Sequence, residues 1–97
     1  MFDLNVLLKY VDVSNIQATD LTYMFYNCWN LEEAKINAHN PSSMTDTFYN
    51  CKKLKTVYIY GDLSNTNFTN TFRYCESLNT IYWYGIPPLS STPFEIF

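Results

Sequence analysis

One signature, Phe-x-x-Cys-x-x-Leu, recurs along this chain at a nearly constant period. It reads Phe25, Cys28, Leu31, then Phe48, Cys51, Leu54, then Phe72, Cys75, Leu78. The steps are 23 and 24 residues. A chain repeating itself at that period folds as a stacked solenoid, because one unit can bury its apolar face only against a neighbour. The constraint falls on architecture and leaves function open.

More of the unit emerges on either side of the signature. After each leucine comes an x-x-apolar-x-apolar pattern: Leu31, Ala34, Ile36; Leu54, Val57, Ile59; Leu78, Ile81, Trp83. One period earlier stand Leu8, Val11 and Val13, preceded by Met1-Phe2 where a later copy has Met24-Phe25, and with Asn5 at the cysteine position. The segments 8–14, 31–37, 54–60 and 78–84 alternate inward and outward, which predicts four strands. Asp20, Ser43 and Asn67 share one aligned position, and each carries a short acceptor suited to a helix N-cap. Behind each cap, apolar residues fall at i, i+4 and i+7 (Leu21, Phe25, Cys28; Met44, Phe48, Cys51; Phe68, Phe72, Cys75), which predicts one face of a two-turn helix. Helices so short depend on packing against the next unit. Asn27 and Asn50 stand where such a helix stops and tolerate the left-handed conformation of a stop, whereas Tyr74 replaces them in the third copy and a different exit is expected there. The loops 14–19, 37–42 and 61–66 are rich in Ser, Asn, Thr, Pro and Gly, as tight bends require.

The expected fold class is therefore an α/β solenoid, with parallel strands on one face and short helices on the other. Residues 1–97 read as a single repeat domain: a partial N-terminal repeat and strand over 1–15, units over 16–37, 38–60 and 61–84, and a terminal segment over 85–97. That last segment leaves the repeat. Prolines 87, 88 and 93 stop the strand, and Ile86, Leu89, Phe94, Ile96 and Phe97 are too apolar for a free tail. It reads as a C-terminal cap over Trp83 or as the beginning of a further, truncated unit.

Composition narrows the function classes. Aromatic residues make up 19% of the chain, so the interior is expected to be built from rings. Net charge is −3 with no basic cluster, which speaks against nucleic acid, because phosphate neutralisation needs cations. No run approaches the roughly 18 consecutive apolar residues of a membrane span. No signal peptide is visible in this chain, because no charged segment followed by an apolar run opens it. Met1 fits a natural start and equally a start codon placed on an excised domain.

The chemistry-bearing residues are few. Three cysteines leave at least one unpaired. They lie too far apart for a metal-ligand cluster, and stacked parallel side chains seldom reach disulfide geometry. Cys28, Cys51 and Cys75 are expected to be buried, reduced thiols in the core. His39, the only histidine, aligns with Ile16 and Leu63 and reads as a partly buried loop residue. No carboxylate pair, no nucleophile with its base and no glycine-rich phosphate loop is present, so neither an enzyme nor a cofactor or metal site is expected. Asn67-Phe68-Thr69 is a formal glycosylation sequon, but Asn67 is already assigned as a cap.

The most informative feature outside the core is a block of tyrosines. The outward positions of the four strands are Tyr10, Asp12, Ser14; Glu33, Lys35, Asn37; Thr56, Tyr58, Tyr60; and Thr80, Tyr82, Tyr84. In register, Tyr58 lies beside Tyr82 and Tyr60 beside Tyr84. One reading is a flat aromatic patch that binds a protein or a glycan, since tyrosine offers large area, little entropy cost and a polar tip. The other is that cross-strand aromatic pairs simply stabilise the sheet. Tyr58, Tyr60, Tyr82 and Tyr84 are the candidate ligand-binding residues. The uncovered edge near Leu8 and Val11 is in addition a place for self-association.

At this point the residues match a known pattern. Leu78-x-x-Ile81-x-Trp83 and its copies resemble the Leu-x-x-Leu-x-Leu of leucine-rich repeats. Asp12-Val13-Ser14-Asn15 leading to Met24-Phe25-Tyr26-Asn27-Cys28, and Asp62-Leu63-Ser64-Asn65 leading to Phe72-Arg73-Tyr74-Cys75, resemble the BspA-like group and its mycoplasma-lipoprotein-type repeat. Pro87-Pro88-Leu89 is similar to the double-proline segment that often follows the last such repeat. The likeness spans roughly residues 1–89. It departs where Asn5 replaces Cys, where Thr47 and Thr71 replace the Met before Phe, and where the second loop lacks Asp-x-Ser-Asn; these departures bear on loop geometry. The resemblance implies a leucine-rich-repeat stack from a larger secreted or surface-attached protein of host-associated bacteria or some protists, with a role in adhesion to host proteins or other cells. Similar repeats also occur in phage proteins, so a spacer or cap within a surface or virion protein is the alternative. No catalytic residues come with the family.

Overall fold

The computed structural model describes residues 7–39, 43–64 and 66–86. Four strands, β1 (Tyr10–Ala18), β2 (Glu33–His39), β3 (Thr56–Asp62) and β4 (Thr80–Trp83), form one parallel sheet in the order β1-β2-β3-β4. The register follows the repeat: Val11↔Ala34↔Val57↔Ile81 and Val13↔Ile36↔Ile59↔Trp83. These inward rows are the ones the alternation predicts, because every second side chain of a strand faces the core.

Strand β1 runs four residues past its expected end. Its pairing with β2 jumps from Val13↔Ile36 to Gln17↔Asn37, so Ser14, Asn15 and Ile16 are looped out. Asp12 accepts hydrogen bonds from the Ser14 N–H and hydroxyl, a local turn that competes with the ladder. The Asn37 side-chain amide then ties the bulge down by donating to the Ser14 carbonyl at 2.9 Å. His39 likewise departs from expectation: it closes β2 in register with Asp62, not with Leu63. Where the backbone of β3 meets Ala38 in β2, residue 61 has φ 102°, and a Cβ there would collide with the Ala38 carbonyl, so only glycine fits.

The larger correction concerns the helices. Among the described residues there are none. Behind Asp20, Ser43 and Asn67 the chain runs instead through consecutive turns. Within the first coil, the N–H groups of Met24, Tyr26 and Cys28 donate back three residues, to Leu21, Tyr23 and Phe25, at 3.1–3.2 Å. The alternate N–H groups, those of Leu21, Tyr23, Phe25 and Asn27, cross to carbonyls of Ser43, Thr45, Thr47 and Tyr49 in the next coil. Met44, Asp46, Phe48 and Asn50 do the same toward Asn67, Thr69, Thr71 and Arg73. A helix would turn the donors beyond its first turn onto its own carbonyls; here alternate donors build a second ladder between coils.

Positive φ explains why. Tyr23, Asp46 and Asn70 lie at 56–60°, and Asn27, Asn50 and Tyr74 at 61–64°. Two left-handed residues four positions apart break any helix. Four of the six are Asn or Asp, which tolerate that region. Tyr74 adopts the same exit as Asn27 and Asn50, contrary to the expected difference. The three caps do accept an N–H, two residues on and at a turn: Thr22 to Asp20 at 3.0 Å, Thr45 to Ser43 at 3.0 Å, Thr69 to Asn67 at 2.9 Å. The Thr22 bonds hold the Asp20 carboxyl below its ordinary range.

Between the two ladders lies the core. Leu21, Phe25, Cys28, Met44, Phe48, Cys51, Phe68 and Phe72 are all buried, so the i, i+4, i+7 spacing marks the inward side although no helix carries it. Phe25 stacks on Phe48 at 5.4 Å and 13°, and Phe48 on Phe72 at 5.5 Å and 5°. The cysteines form a parallel column: Cys51 Sγ donates to the Phe25 carbonyl and Cys75 Sγ to the Phe48 carbonyl, both at 3.1 Å. All three are free; Cys75 is half-buried. Thr47 and Thr71, which stand in place of Met24, are fully buried and bridge coils, with Thr47 donating to the Leu21 and Met44 carbonyls and Thr71 to those of Met44 and Phe68. The expectations for Met1-Phe2, for Asn5 and for the cap at 87–97 lie outside the described residues.

Candidate functional site

The outward side of β3 and β4 carries the candidate tyrosines. Parallel in-register pairing places equivalent residues one strand spacing apart, about 4.8 Å. Tyr58 pairs with Tyr82, and their rings stack at 4.9 Å and 13°. The chain continues as an extended segment past Trp83, where the Tyr84 N–H donates to the Ile59 carbonyl at 2.8 Å. That bond sets Tyr84 beside Tyr60, with rings 5.1 Å apart and 17° from parallel. Tyr84 also lies 6.1 Å from Tyr82 and 6.4 Å from Tyr58. All four candidates thus form one cluster.

Its surroundings are graded. Lys35 on β2 sets its ammonium over the Tyr58 ring, 5.1 Å from the centroid, a cation–π contact. Burial among these neighbours, with the charge of Glu33, pushes the Tyr58 phenol up from its ordinary value and keeps it protonated. Tyr58 and Tyr60 are half-buried, while Tyr82 and Tyr84 are 43% and 58% exposed. Across the rest of the sheet face stand Tyr10, Asp12, Glu33, Lys35 and Asn37. Hydrogen bonds from Ser14 hold the Asp12 carboxyl low.

A second tyrosine group lies on the turn side, and the outward-alternation argument missed it. Tyr26 stacks on Tyr49 at 4.9 Å and 7°. Tyr23 and Tyr74 meet its two ends edge-on, each at 5.4 Å, and the Arg73 guanidinium sits 5.1 Å from the Tyr74 ring. The signal was present in the repeat: Tyr26 and Tyr49 each follow a signature phenylalanine, one period apart. At the open end beside β1, the bulge leaves an apolar cavity of about 100 Å³ lined by Val13, Ile16, Ala18, Leu21, Met24 and Ile36.

The three thiols lie in or against the core. A hydrogen bond with Cys28 and burial push the Cys51 thiol up, and burial pushes Cys75 up to about 12. The same hydrogen bond lowers the Cys28 thiol, against its burial, and Cys28 and Cys51 are both fully buried. Among the described residues no three His, Cys, Asp or Glu side chains converge as metal ligands, and no helix is long and apolar enough to cross a membrane.

Residues 2–93 match the model of a family described as "BspA type Leucine rich repeat region (6 copies)". No curated protein and no solved structure matches the chain.

Proposed function

The chain belongs to the BspA-type leucine-rich-repeat family, whose repeat regions are generally binding modules, typically non-enzymatic and typical of surface proteins, and we propose that it is a surface adhesion module recognising a protein or glycan on host or neighbouring cells. Contact is made through the sheet face, with Tyr58, Tyr60, Tyr82 and Tyr84 as the ligand-binding residues. The observation that carries this reading is the gathering of all four rings into one partly exposed cluster. Two of the four rings are left about half open, which leaves aromatic area for a ligand to cover. The place of action is the cell exterior, as part of a longer protein. Replacing all four tyrosines by serine and measuring binding to whole cells tests it. Binding is expected to fall sharply; undiminished binding by a folded variant refutes the proposal.

The apolar cavity at the β1 end favours a second reading, in which the chain is a spacer or capping segment within a larger surface or virion protein and that end is covered by a neighbour. The same fourfold variant separates the two, because a spacer covered at its β1 end keeps its assembly when the tyrosines are changed and has no cell binding to lose.

A further inference from the structure

The outward side of the sheet has two halves of different character. On β1 and β2 it carries Tyr10, Asp12, Glu33, Lys35 and Asn37; on β3, β4 and the residue following, it carries Thr56, Tyr58, Tyr60, Thr80, Tyr82 and Tyr84, with no Asp, Glu, Lys, Arg or His among them. The stacking decides which ring faces a ligand can reach. Tyr58 is sandwiched, with Lys35 on the β2 side and Tyr82 on the β4 side. Tyr60 has one face against Tyr84. Among the described residues β4 is the last strand of the sheet, and Tyr82 and Tyr84 on its side of the ladder keep 43% and 58% of their surface exposed. Their rings lie side by side, 6.1 Å apart and within 14° of parallel.

Resting on the sheet-face reading above, we infer that the ligand is an uncharged saccharide chain whose pyranose C–H faces lie against the open faces of Tyr82 and Tyr84. An aromatic face is the negative side of the ring quadrupole and attracts weakly positive C–H groups, of which a pyranose offers a flat set. Two neighbouring faces along one strand suit a chain of linked rings better than a single sugar. Phenol tips and the hydroxyls of Thr56 and Thr80 supply a hydrogen-bonding border for the sugar hydroxyls. This half of the face holds no cation to favour a sulfated or uronic-acid chain, and Lys35 is already engaged over Tyr58.

The test uses cellohexaose, mannohexaose and xylohexaose as neutral probes, with heparin and polygalacturonate as acidic ones. At least one neutral hexasaccharide is expected to bind. Tyr82→Ala with Tyr84→Ala is expected to weaken that binding by about tenfold or more, the weight of an aromatic hot spot, while the paired Phe variants retain it. Should the alanine pair fail to fold, Tyr84→Ala alone, at the most exposed ring of the four, reads the same loss. Binding of acidic probes only, of no neutral probe, or of a neutral probe indifferent to these changes overturns the inference. If cell binding is lost in the fourfold serine variant while no neutral saccharide binds, the saccharide falls and the sheet-face reading stands. If neither responds, both fall.

Discussion

Replacing Asn50 by alanine and, separately, by glycine tests the left-handed backbone on which the turn-built ladder depends. Asn50 has φ 63°, and its side-chain amide donates to Asn27 Oδ1 at 3.0 Å. Both variants lose that bond, worth about 0.5–1.5 kcal/mol, so it cancels between them. What remains is backbone. A Cβ in the left-handed region costs about 1–2 kcal/mol, which glycine avoids. Glycine gives back about 0.4–1 kcal/mol through the freedom of its unfolded chain. The glycine variant should therefore be the more stable of the two by roughly 0.5–1 kcal/mol, a difference of a few degrees in Tm for a domain this size. A helix ending at Asn50 gives the same order there, so the same pair is made at Asp46, φ 56°, inside the span a helix would occupy: the turn again puts glycine ahead, whereas a helix puts alanine ahead by about 1 kcal/mol. Urea titration with thermal melts followed by circular dichroism measures the difference, and equal m-values confirm that the unfolded state is shared. An alanine variant that outlasts the glycine variant refutes the turn-built ladder.

Further outcomes follow from the same structure. Phe48→Ala, which removes the middle ring of a buried three-ring stack, should cost about 3–5 kcal/mol in chemical denaturation. Thr71→Val removes the hydroxyl that bridges the Met44 and Phe68 carbonyls, which keep their bonds from Thr47 and from the Thr71 N–H, and a loss of about 0.5–1.5 kcal/mol is expected; a neutral result counts against the bridging role. The Cys75 thiol is raised from 9.0 to about 12 in the fold, so the folded state holds its proton more tightly than the unfolded chain. That stability is fully present below about pH 9 and is lost as pH rises toward 12, which melts across this window should show and a Cys75→Ser variant should flatten. Strand β1 is an edge of the sheet, and pairing with a second copy predicts a mass in solution that rises with concentration; a strict monomer at high concentration refutes it.

Much of the architecture was legible from the period alone. The positions of Val11, Ala34, Val57 and Ile81, the strand order and the pairing of Tyr58 with Tyr82 all follow from aligning the repeats, because a parallel stack must put equivalent residues side by side. The buried set was legible too: Phe25, Phe48 and Phe72 belong inside under any secondary structure. What misled was the i, i+4, i+7 spacing. It identifies the inward side of a helix and equally the inward side of a run of turns, so periodicity by itself does not separate them. The left-handed residues do, and only those at the exit, Asn27 and Asn50, were legible, where they fit a helix stop as well as a turn. Tyr23 and Tyr74 gave no hint, because a tyrosine at positive φ is held there by its neighbours and not by its own preference.

The amino-acid sequence by itself determined that this chain stacks, which residues face inward, and that its outward strand positions concentrate tyrosine toward one end. Those are consequences of side-chain pattern, which is local. Tertiary structure decided where the backbone donors go: half of those on the turn side bond to the next coil, and only the presence of that coil makes the choice favourable over a helix. It also decided which tyrosine faces stay open. Covering of Tyr58 by Lys35 and Tyr82, and exposure of Tyr82 and Tyr84, depend on which strand ends the sheet, a property of the assembled stack that no single repeat contains.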